Sequence, residues 1–306
     1  MIRKILAVML IMGVVGLIVV GVMLKRGEGV DEAGLRILAT SFPAYDFARA
    51  VVGDDGKVEM LLDPGAEIHD YEPTPQDIIK MQESDVFIYT GGESETWVDE
   101  MLEGIDSGRT KVIRMMDLVE LMVEDEEGGE VNYDEHVWTS LRNAIVIVGV
   151  LRDELIELDK NKAEDYTNNA KSYIEELQEI DGEIRNLVTR GKRKEIVFGD
   201  RFALRYFVEE YRLDYDAAFP GCSEQTEVSV KTLTSLVDKV RELGAPVVLK
   251  NEMSNNGIAE TIAGEAGVEV LEFYSGHSMA PEDFRDGVTY AEMMRRNVRV
   301  LERALY

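Results

Sequence analysis

Residues 161–191 read "NKAEDYTNNAKSYIEELQEIDGEIRNLVTRG", a stretch with no proline and one internal glycine, Gly182. Its apolar residues recur every three or four positions, a spacing typical of a helix with one buried face. They are Tyr166, Ala170, Tyr173, Ile174, Leu177, Ile180, Ile184 and Leu187. At a rise of ~1.5 Å per residue, a helix of this size is about 45 Å long. The stretch therefore predicts one long, stiff helix in the middle of the chain.

Short apolar runs alternate with amphipathic stretches on both sides of this helix. The strand-length runs before it are RILATS (36–41), VEMLL (58–62), DVFIY (85–89) and KVIR (111–114), and those after it are KEIVF (194–198), LDYDAAF (213–219), PVVLKN (246–251) and VEVLEF (268–273). Strands that alternate with helices are typical of parallel sheets covered on both faces. We therefore predict an α/β fold with two parallel-sheet lobes, at 35–158 and 192–306, joined by the long helix at 161–191.

Composition limits the classes of ligand that this chain can bind. Its 306 residues include 60 acidic and 33 basic side chains, which give a formal net charge of −27. Such a charge repels phosphate backbones, so we exclude nucleic acid as a partner and favour a cationic ligand. The same charge also serves solubility, which is the simpler interpretation. The single cysteine, Cys222, cannot form an internal disulfide.

The N-terminal segment, residues 1–29, has the composition of a membrane anchor. Residues 5–24 read "ILAVMLIMGVVGLIVVGVML" without a charge, between the basic pairs Arg3-Lys4 and Lys25-Arg26. At ~1.5 Å per residue, this run covers the ~30 Å hydrocarbon core of a bilayer. No Ala-x-Ala type cleavage site precedes Val30, which favours an uncleaved anchor over a cleaved signal peptide. The rest of the chain is then expected outside the cytoplasm.

The chain contains three histidines, and all three lie in predicted loops. His69 lies in "DPGAEIHDYEPTPQDI" (63–78), His136 lies in "NYDEHVWTSLRNA" (132–144), and His277 lies in "EFYSGHSMAPEDF" (272–284). Taken singly, each is most simply a surface or capping residue. Together they occupy strand ends and helix starts, where open α/β sheets bind ligands, and imidazole is the commonest metal ligand. The pattern favours a metal site, although sequence spacing alone does not show that the three side chains converge.

These motifs resemble those of the solute-binding receptors of zinc and manganese ABC importers. The resemblance covers nearly all of residues 35–306 and is carried by PGAEIHDYEPTPQDI (64–78), DEHVWTSLRNA (134–144), RFALRYFVEEYRL (201–213) and TYAEMMRRNVRVLERAL (289–305). It implies two lobes that hold one metal ion at their interface and deliver it to a membrane permease, without catalysis. It also implies that His277 occupies the position of the family's last ligand, which is often a carboxylate.

The chain departs from the family at one ligand position. The family usually has a histidine or glutamate immediately before the segment that reads FALRYF here (202–207), where this chain has Arg201. Arginine has no acceptor atom and stays charged, so it cannot bind a cation. Asp200 is the first candidate for the missing oxygen, although it can instead cap a helix that starts at Arg201. Glu252 and water are the other candidates.

The expected metal ligands are therefore His69, His136 and His277, with Asp200 as the fourth. Three imidazoles and one oxygen favour Zn²⁺, and Mn²⁺ remains the second candidate. The expected function is extracytoplasmic metal capture at the cell membrane for an ABC importer permease. Two alternatives stay open: a surface adhesin or structural protein on the same fold, and a zinc hydrolase with Glu252 as its base. The acidic run EDEEGGE (124–130) is interpreted as a solvated loop.

Overall fold

A computed structural model describes residues 34–66, 68–69, 71–103, 109–127, 130–219, 221, 228–254 and 257–306. From Leu35 to Tyr306 the chain forms one compact unit. The predicted anchor at 1–29 and Cys222 lie outside the described residues. Among the helices that the structure describes, none combines the length and the apolar character needed to cross a bilayer.

The N-terminal lobe contains a four-stranded parallel sheet in the order β2-β1-β3-β4. Its strands are β1 (Arg36–Ala39), β2 (Lys57–Met60), β3 (Val86–Tyr89) and β4 (Lys111–Arg114), and its helices are α1 (Phe42–Val52), α2 (Pro75–Glu83) and α3 (Trp97–Glu103). The proline-rich end of the His69 loop starts α2. Thr74 and Asp77 form a reciprocal capping box there, and Pro75 occupies the first turn, where no N–H is needed.

The acidic run at 124–130 does not form the predicted loop, and that prediction is wrong. It belongs to an antiparallel hairpin made of β5 (Val123–Glu127) and β6 (Glu130–Tyr133). Strand-favouring residues at its ends, Val123, Val131 and Tyr133, and a Gly-Gly pair between the two runs are the hairpin signal that the charge of the segment concealed.

The long central helix is confirmed as α5 (Ala163–Arg190), 28 residues in length, and it follows α4 (Leu141–Leu158). Its buried stripe matches the predicted spacing and consists of Tyr166, Ala170, Tyr173, Leu177, Ile180, Ile184 and Val188. Gly182 lies on the open side, where an added Cβ would meet no atom within 4 Å. The helix packs against α1 and α4 of the first half of the chain, so it is part of the core as well as a connector.

The C-terminal lobe repeats the plan with a second parallel sheet in the order β10-β9-β7-β8. Its strands are β7 (Glu195–Arg201), β8 (Asp214–Phe219), β9 (Val247–Asn251) and β10 (Glu269–Phe273). Its helices are α6 (Arg205–Tyr211), α7 (Val230–Leu243), α8 (Ile258–Ala266), α9 (Pro281–Arg285) and α10 (Tyr290–Leu305). The predicted fold class is therefore confirmed, whereas the domain boundaries at 35–158, 161–191 and 192–306 stay predictions.

The central strands of the two sheets, β1 and β3 in the first and β7 and β9 in the second, are mainly buried and mostly apolar, as expected for strands covered on both faces. The edge strands β2 and β10 are more exposed and carry charged residues. In the first sheet, Ile37 packs into the large core that also contains α5, whereas its neighbour Leu38 packs into a separate cluster with Met81 of α2. In the second sheet, Phe198 belongs to the large core and Val197 belongs to a cluster with α7 and α8. Successive strand residues point to opposite faces, so these strands contribute side chains to two separate hydrophobic clusters.

A buried carboxylate ties together α1, α5 and α10. Asp46 is 1% exposed and accepts hydrogen bonds from Tyr173 Oη (2.7 Å), the Tyr290 backbone N–H (3.0 Å) and an Arg49 guanidinium nitrogen (2.7 Å). Burial raises the pKa of Asp46 above its ordinary value in spite of these donors. The carboxylate therefore fixes the middle helix against the first and last helices of the compact unit.

We expect Asp46→Ala to lower the free energy of unfolding by about 2–4 kcal/mol, because it leaves the Tyr173 hydroxyl and the Tyr290 N–H buried without an acceptor. Urea unfolding followed by tryptophan fluorescence measures the change. The matched control is Asp54→Ala, which removes an exposed carboxylate just beyond the end of α1. Equal stability of the two variants would contradict the role given to Asp46.

Candidate metal centre

The three histidines lie on three different loops and meet at one place. His69 precedes α2, His136 lies between β6 and α4, and His277 lies between β10 and α9. The ring of His277 contacts both of the others, with its centroid 5.7 Å from that of His69 and 5.4 Å from that of His136. The loops come from both halves of the chain, so the cluster joins the two lobes.

A carboxylate that the sequence analysis did not select joins this cluster. His69, His277 and Glu135 each offer one ligand atom, and the three atoms lie within 4.8 Å of one another. Ligand atoms around tetrahedral zinc, at ~2.0–2.1 Å from the ion, lie about 3.3 Å apart, so the ligand atoms would have to approach one another by up to about 1.5 Å to complete the geometry. Within the described residues, His277 Nε2 is buried and has no hydrogen-bond partner. This nitrogen is suited to accept a metal ion.

Asp134 orients the ring of His136. Its Oδ1 accepts the backbone N–H of His136 at 2.8 Å and lies 3.0 Å from His136 Nδ1. Because an ionised carboxylate only accepts, Nδ1 carries the proton and Nε2 keeps its lone pair for a metal. Burial acts to raise the pKa of Asp134, but His136 and Arg205 outweigh it and hold that pKa below its ordinary value. Asp134 therefore stays ionised and keeps the ring fixed.

Glu252 holds the loop that carries His277. Its carboxylate accepts the backbone N–H of Ser275 at 2.7 Å and the Ser275 hydroxyl at 2.9 Å, and Ser275 Oγ in turn accepts the backbone N–H of His277 at 3.1 Å. Trp138 Nε1 donates to the Ser275 carbonyl at 2.9 Å, which ties this loop to the His136 segment. Burial raises the pKa of Glu252 to about 7. Both oxygens of Glu252 therefore accept hydrogen bonds from the loop that carries His277.

The close group of ligand atoms from His69, Glu135 and His277 includes neither His136, whose ring contacts that of His277, nor the expected fourth ligand, Asp200. Its carboxylate accepts the backbone N–H groups of Arg201 (2.8 Å) and Asn251 (3.2 Å), so it links the ends of β7 and β9. The interpretation of Asp200 as a cap for a helix starting at Arg201 is wrong, because the strand continues to Arg201 and α6 begins at Arg205.

Arg201 contributes positive charge close to the imidazoles. Burial is the main cause that lowers the pKa of His277 well below its ordinary value, and the charges of His136, His69 and Arg201 act in the same direction. In the part of the chain that the structure describes, the Arg201 guanidinium has no carboxylate partner. A metal that binds here therefore meets a fixed positive charge as well as the ligands.

Comparison with known proteins shows what this arrangement resembles. A family model described as zinc-uptake complex component A, periplasmic (ZnuA), matches residues 37–304. The high-affinity zinc uptake system protein ZnuA of Bacillus subtilis (strain 168) is 30% identical over 283 residues, which cover 89% of this chain and 88% of that protein.

Streptococcal proteins give a similar result. The zinc-binding protein AdcA of Streptococcus pyogenes is 28% identical over 313 residues, and the match covers 96% of this chain but only 60% of that protein. The chain therefore spans about 60% of the length of these curated relatives. Among solved structures, the Zn(II)-bound ZnuA-like domain of Streptococcus pneumoniae AdcA has a TM-score of 0.75 at 31% identity, and the match covers 89% of this chain and 99% of that one.

Proposed function

This chain belongs to the family of zinc-uptake complex component A, and we propose that it captures one divalent metal ion for an ABC importer and prefers zinc to manganese. The observation that carries the proposal is the convergence of three imidazoles from three loops. Nitrogen-rich sites suit zinc, whereas manganese prefers oxygen ligands. We propose His69, His136 and His277 as the ligands that hold the ion.

Family membership also bears on the other expectations. The family works in metal uptake, which favours a receptor over the hydrolase and adhesin alternatives. Its description as periplasmic, and the description of the Streptococcus pneumoniae AdcA relative as a lipoprotein, support a location outside the cytoplasm. We propose that the partner is an importer permease and that residues 1–29 hold the chain at the membrane. A net charge of −27 agrees with a cationic cargo.

Titration of the metal-free chain tests the proposed function. The full chain, purified in detergent and stripped with a chelator, is titrated calorimetrically with Zn²⁺ and separately with Mn²⁺. We expect one tight zinc site and weaker manganese binding. Zinc at ~1,000 times its Kd should also stabilise the folded state by about 4 kcal/mol. Absence of tight zinc binding, or tighter binding of manganese, would overturn the proposal.

We expect Asp134→Asn to weaken zinc binding by about 10- to 100-fold, because the carboxylate that fixes the His136 tautomer is lost while all three imidazoles remain. Competition with a chromogenic chelator measures the affinity. Asp117→Asn is the matched control, since Asp117 is an exposed aspartate that only forms a surface ion pair with Arg114. An affinity of Asp134→Asn equal to that of this control would remove Asp134 from the site.

A further inference from the structure

Glu135 is a buried carboxylate whose charge is poorly balanced by the protein. Its side chain is 5% exposed, and the described residues give it one hydrogen bond, from the Ser94 backbone N–H to Oε2 at 3.0 Å. No lysine or arginine of the described chain forms an ion pair with it. Buried carboxylates are normally paired with a cation or bind a metal, because an isolated buried charge is costly. A cation bound beside Glu135 would therefore stabilise this buried carboxylate.

The other buried carboxylates described around the site are already satisfied. Asp134 binds His136 and lies 3.6 Å from Arg205 Nε, and Glu252 binds Ser275. Asp200 accepts two backbone N–H groups. Glu95 accepts hydrogen bonds from Thr40 and Gly91, and its pKa is raised to about 7, chiefly by burial. Among these fully buried carboxylates of the described residues, Glu135 is the one with an oxygen that accepts no hydrogen bond and forms no ion pair.

The position of Glu135 matches this chemistry. One of its oxygens lies within 4.8 Å of the ligand atoms of both His69 and His277, and the next residue along the chain is His136. We propose that Glu135 is the fourth metal ligand, which completes a site of three imidazoles and one carboxylate in place of Asp200. This inference rests on the proposed function, because it concerns the same ion. The carboxylate also offsets the positive charge of Arg201 beside the ion.

The loop after β3 is shaped to receive this side chain. Gly92 has φ +99°, and a Cβ at this position would lie 2.3 Å from Glu135 Oε2 and 2.6 Å from Glu135 Cβ. Only a glycine both adopts this backbone conformation without strain and leaves the space open. Ser94 then holds Oε2, so Oε1 is left for the metal and Glu135 is set to bind through a single oxygen.

Glu135→Gln in the full chain tests the assignment, because glutamine keeps the shape and an acceptor for Ser94 but loses the charge. We expect zinc affinity to fall by at least about 100-fold. We also expect the melting temperature of the metal-free protein to stay equal or rise, since a buried amide is less costly than a buried carboxylate. A crystal structure of the zinc-bound wild type should show one Glu135 oxygen bound to the ion, and a structure of the zinc-bound variant should lack this bond.

The matched control is Glu93→Gln, which removes an exposed carboxylate from the same loop and should bind zinc as the wild type does. Glu135→Asp, which keeps the charge but shortens the reach, provides a second variant if the glutamine variant does not fold, and it should also bind zinc more weakly. Wild-type zinc affinity in Glu135→Gln would overturn this inference alone. A lower melting temperature of the metal-free variant with an unchanged zinc ligand shell would give Glu135 a structural role and overturn it too. Failure of the wild type itself to bind zinc would contradict the proposed function, and not only the assignment of Glu135.

Discussion

Replacing His277 by alanine is expected to weaken zinc binding by at least about 100-fold, since it removes a proposed ligand itself and not a residue that supports one. The ring of His277 contacts the rings of both His69 and His136. Its buried Nε2 has no hydrogen-bond partner among the described residues, so the variant loses no hydrogen bond from this atom and loses only the packing of the ring against its neighbours. Chelator competition measures the zinc affinity, and circular dichroism of the metal-free variant checks the fold.

His69→Ala is expected to lower zinc affinity by the same factor, because the ligand atom of His69 lies in the same close group as those of Glu135 and His277. Ser278→Ala is the control for His277→Ala, since it alters the side chain next to His277 while leaving the three imidazoles in place. Unchanged zinc affinity in either histidine variant would exclude that histidine from the ligand set. A loss of affinity in Ser278→Ala as large as in His277→Ala would mean that the loop conformation, and not the imidazole, determines binding.

Acidification from pH 7 to pH 5 is the second change with a large expected effect, a fall in zinc affinity of at least about 100-fold. A metal-bound imidazole must be neutral, so protons compete with the ion for each histidine. Protonation of one imidazole with the ordinary pKa of about 6.5 lowers zinc affinity about tenfold for each pH unit below that value. Burial, with the positive neighbours, lowers the pKa of His277 well below this value, so His277 starts to compete only at lower pH.

Calorimetric titration at pH 7, 6 and 5 measures this dependence, and repeats in buffers of different ionisation enthalpy count the protons released per zinc. The calcium affinity of EGTA at the same pH values is a suitable check on the titration itself. Zinc affinity that stays constant down to pH 5 would contradict a site built from imidazoles. A steeper loss in which more than three protons are released would indicate that a carboxylate titrates as well.

The stability of the metal-free protein has a different pH dependence, so binding must be measured directly. The pKa of His277 is lower in the folded state than in the unfolded chain. The contribution of His277 to the stability of the folded state is therefore present above about pH 6.5 and is lost as the pH falls below that value. Glu95 and Glu252 act in the opposite direction. Burial raises their pKa from 4.5 to about 7, so these carboxyls keep their protons when folded, and stability increases as the pH falls from 7 towards 4.5.

The apolar spacing predicted the fold well because strands and helices bury their side chains periodically. The long helix α5 follows directly from that periodicity, and the eight parallel strands follow from the short apolar runs that alternate with helical stretches. The hairpin β5-β6 was missed because acidic residues hide its strand pattern. A loop has no such periodicity, and for this reason nothing in the sequence distinguishes Asp134, which turns towards His136, from Glu135, which turns towards Ser94. The choice of Asp200 rested on its place beside Arg201, whereas hydrogen bonding depends on the tertiary structure.

The packing of α5 has a consequence for how an ion enters and leaves. The helix shares one continuous apolar core with β1 and α1 on one side and with α10 on the other, and Asp46 fastens the three helices together. Rotation of one lobe away from the other would expose this core to water, which opposes any wide hinge opening. We therefore expect a preorganised receptor, in which the loops of His69, His136 and His277 adjust locally. Exchange of the ion would then be limited by loop motion and bond breaking.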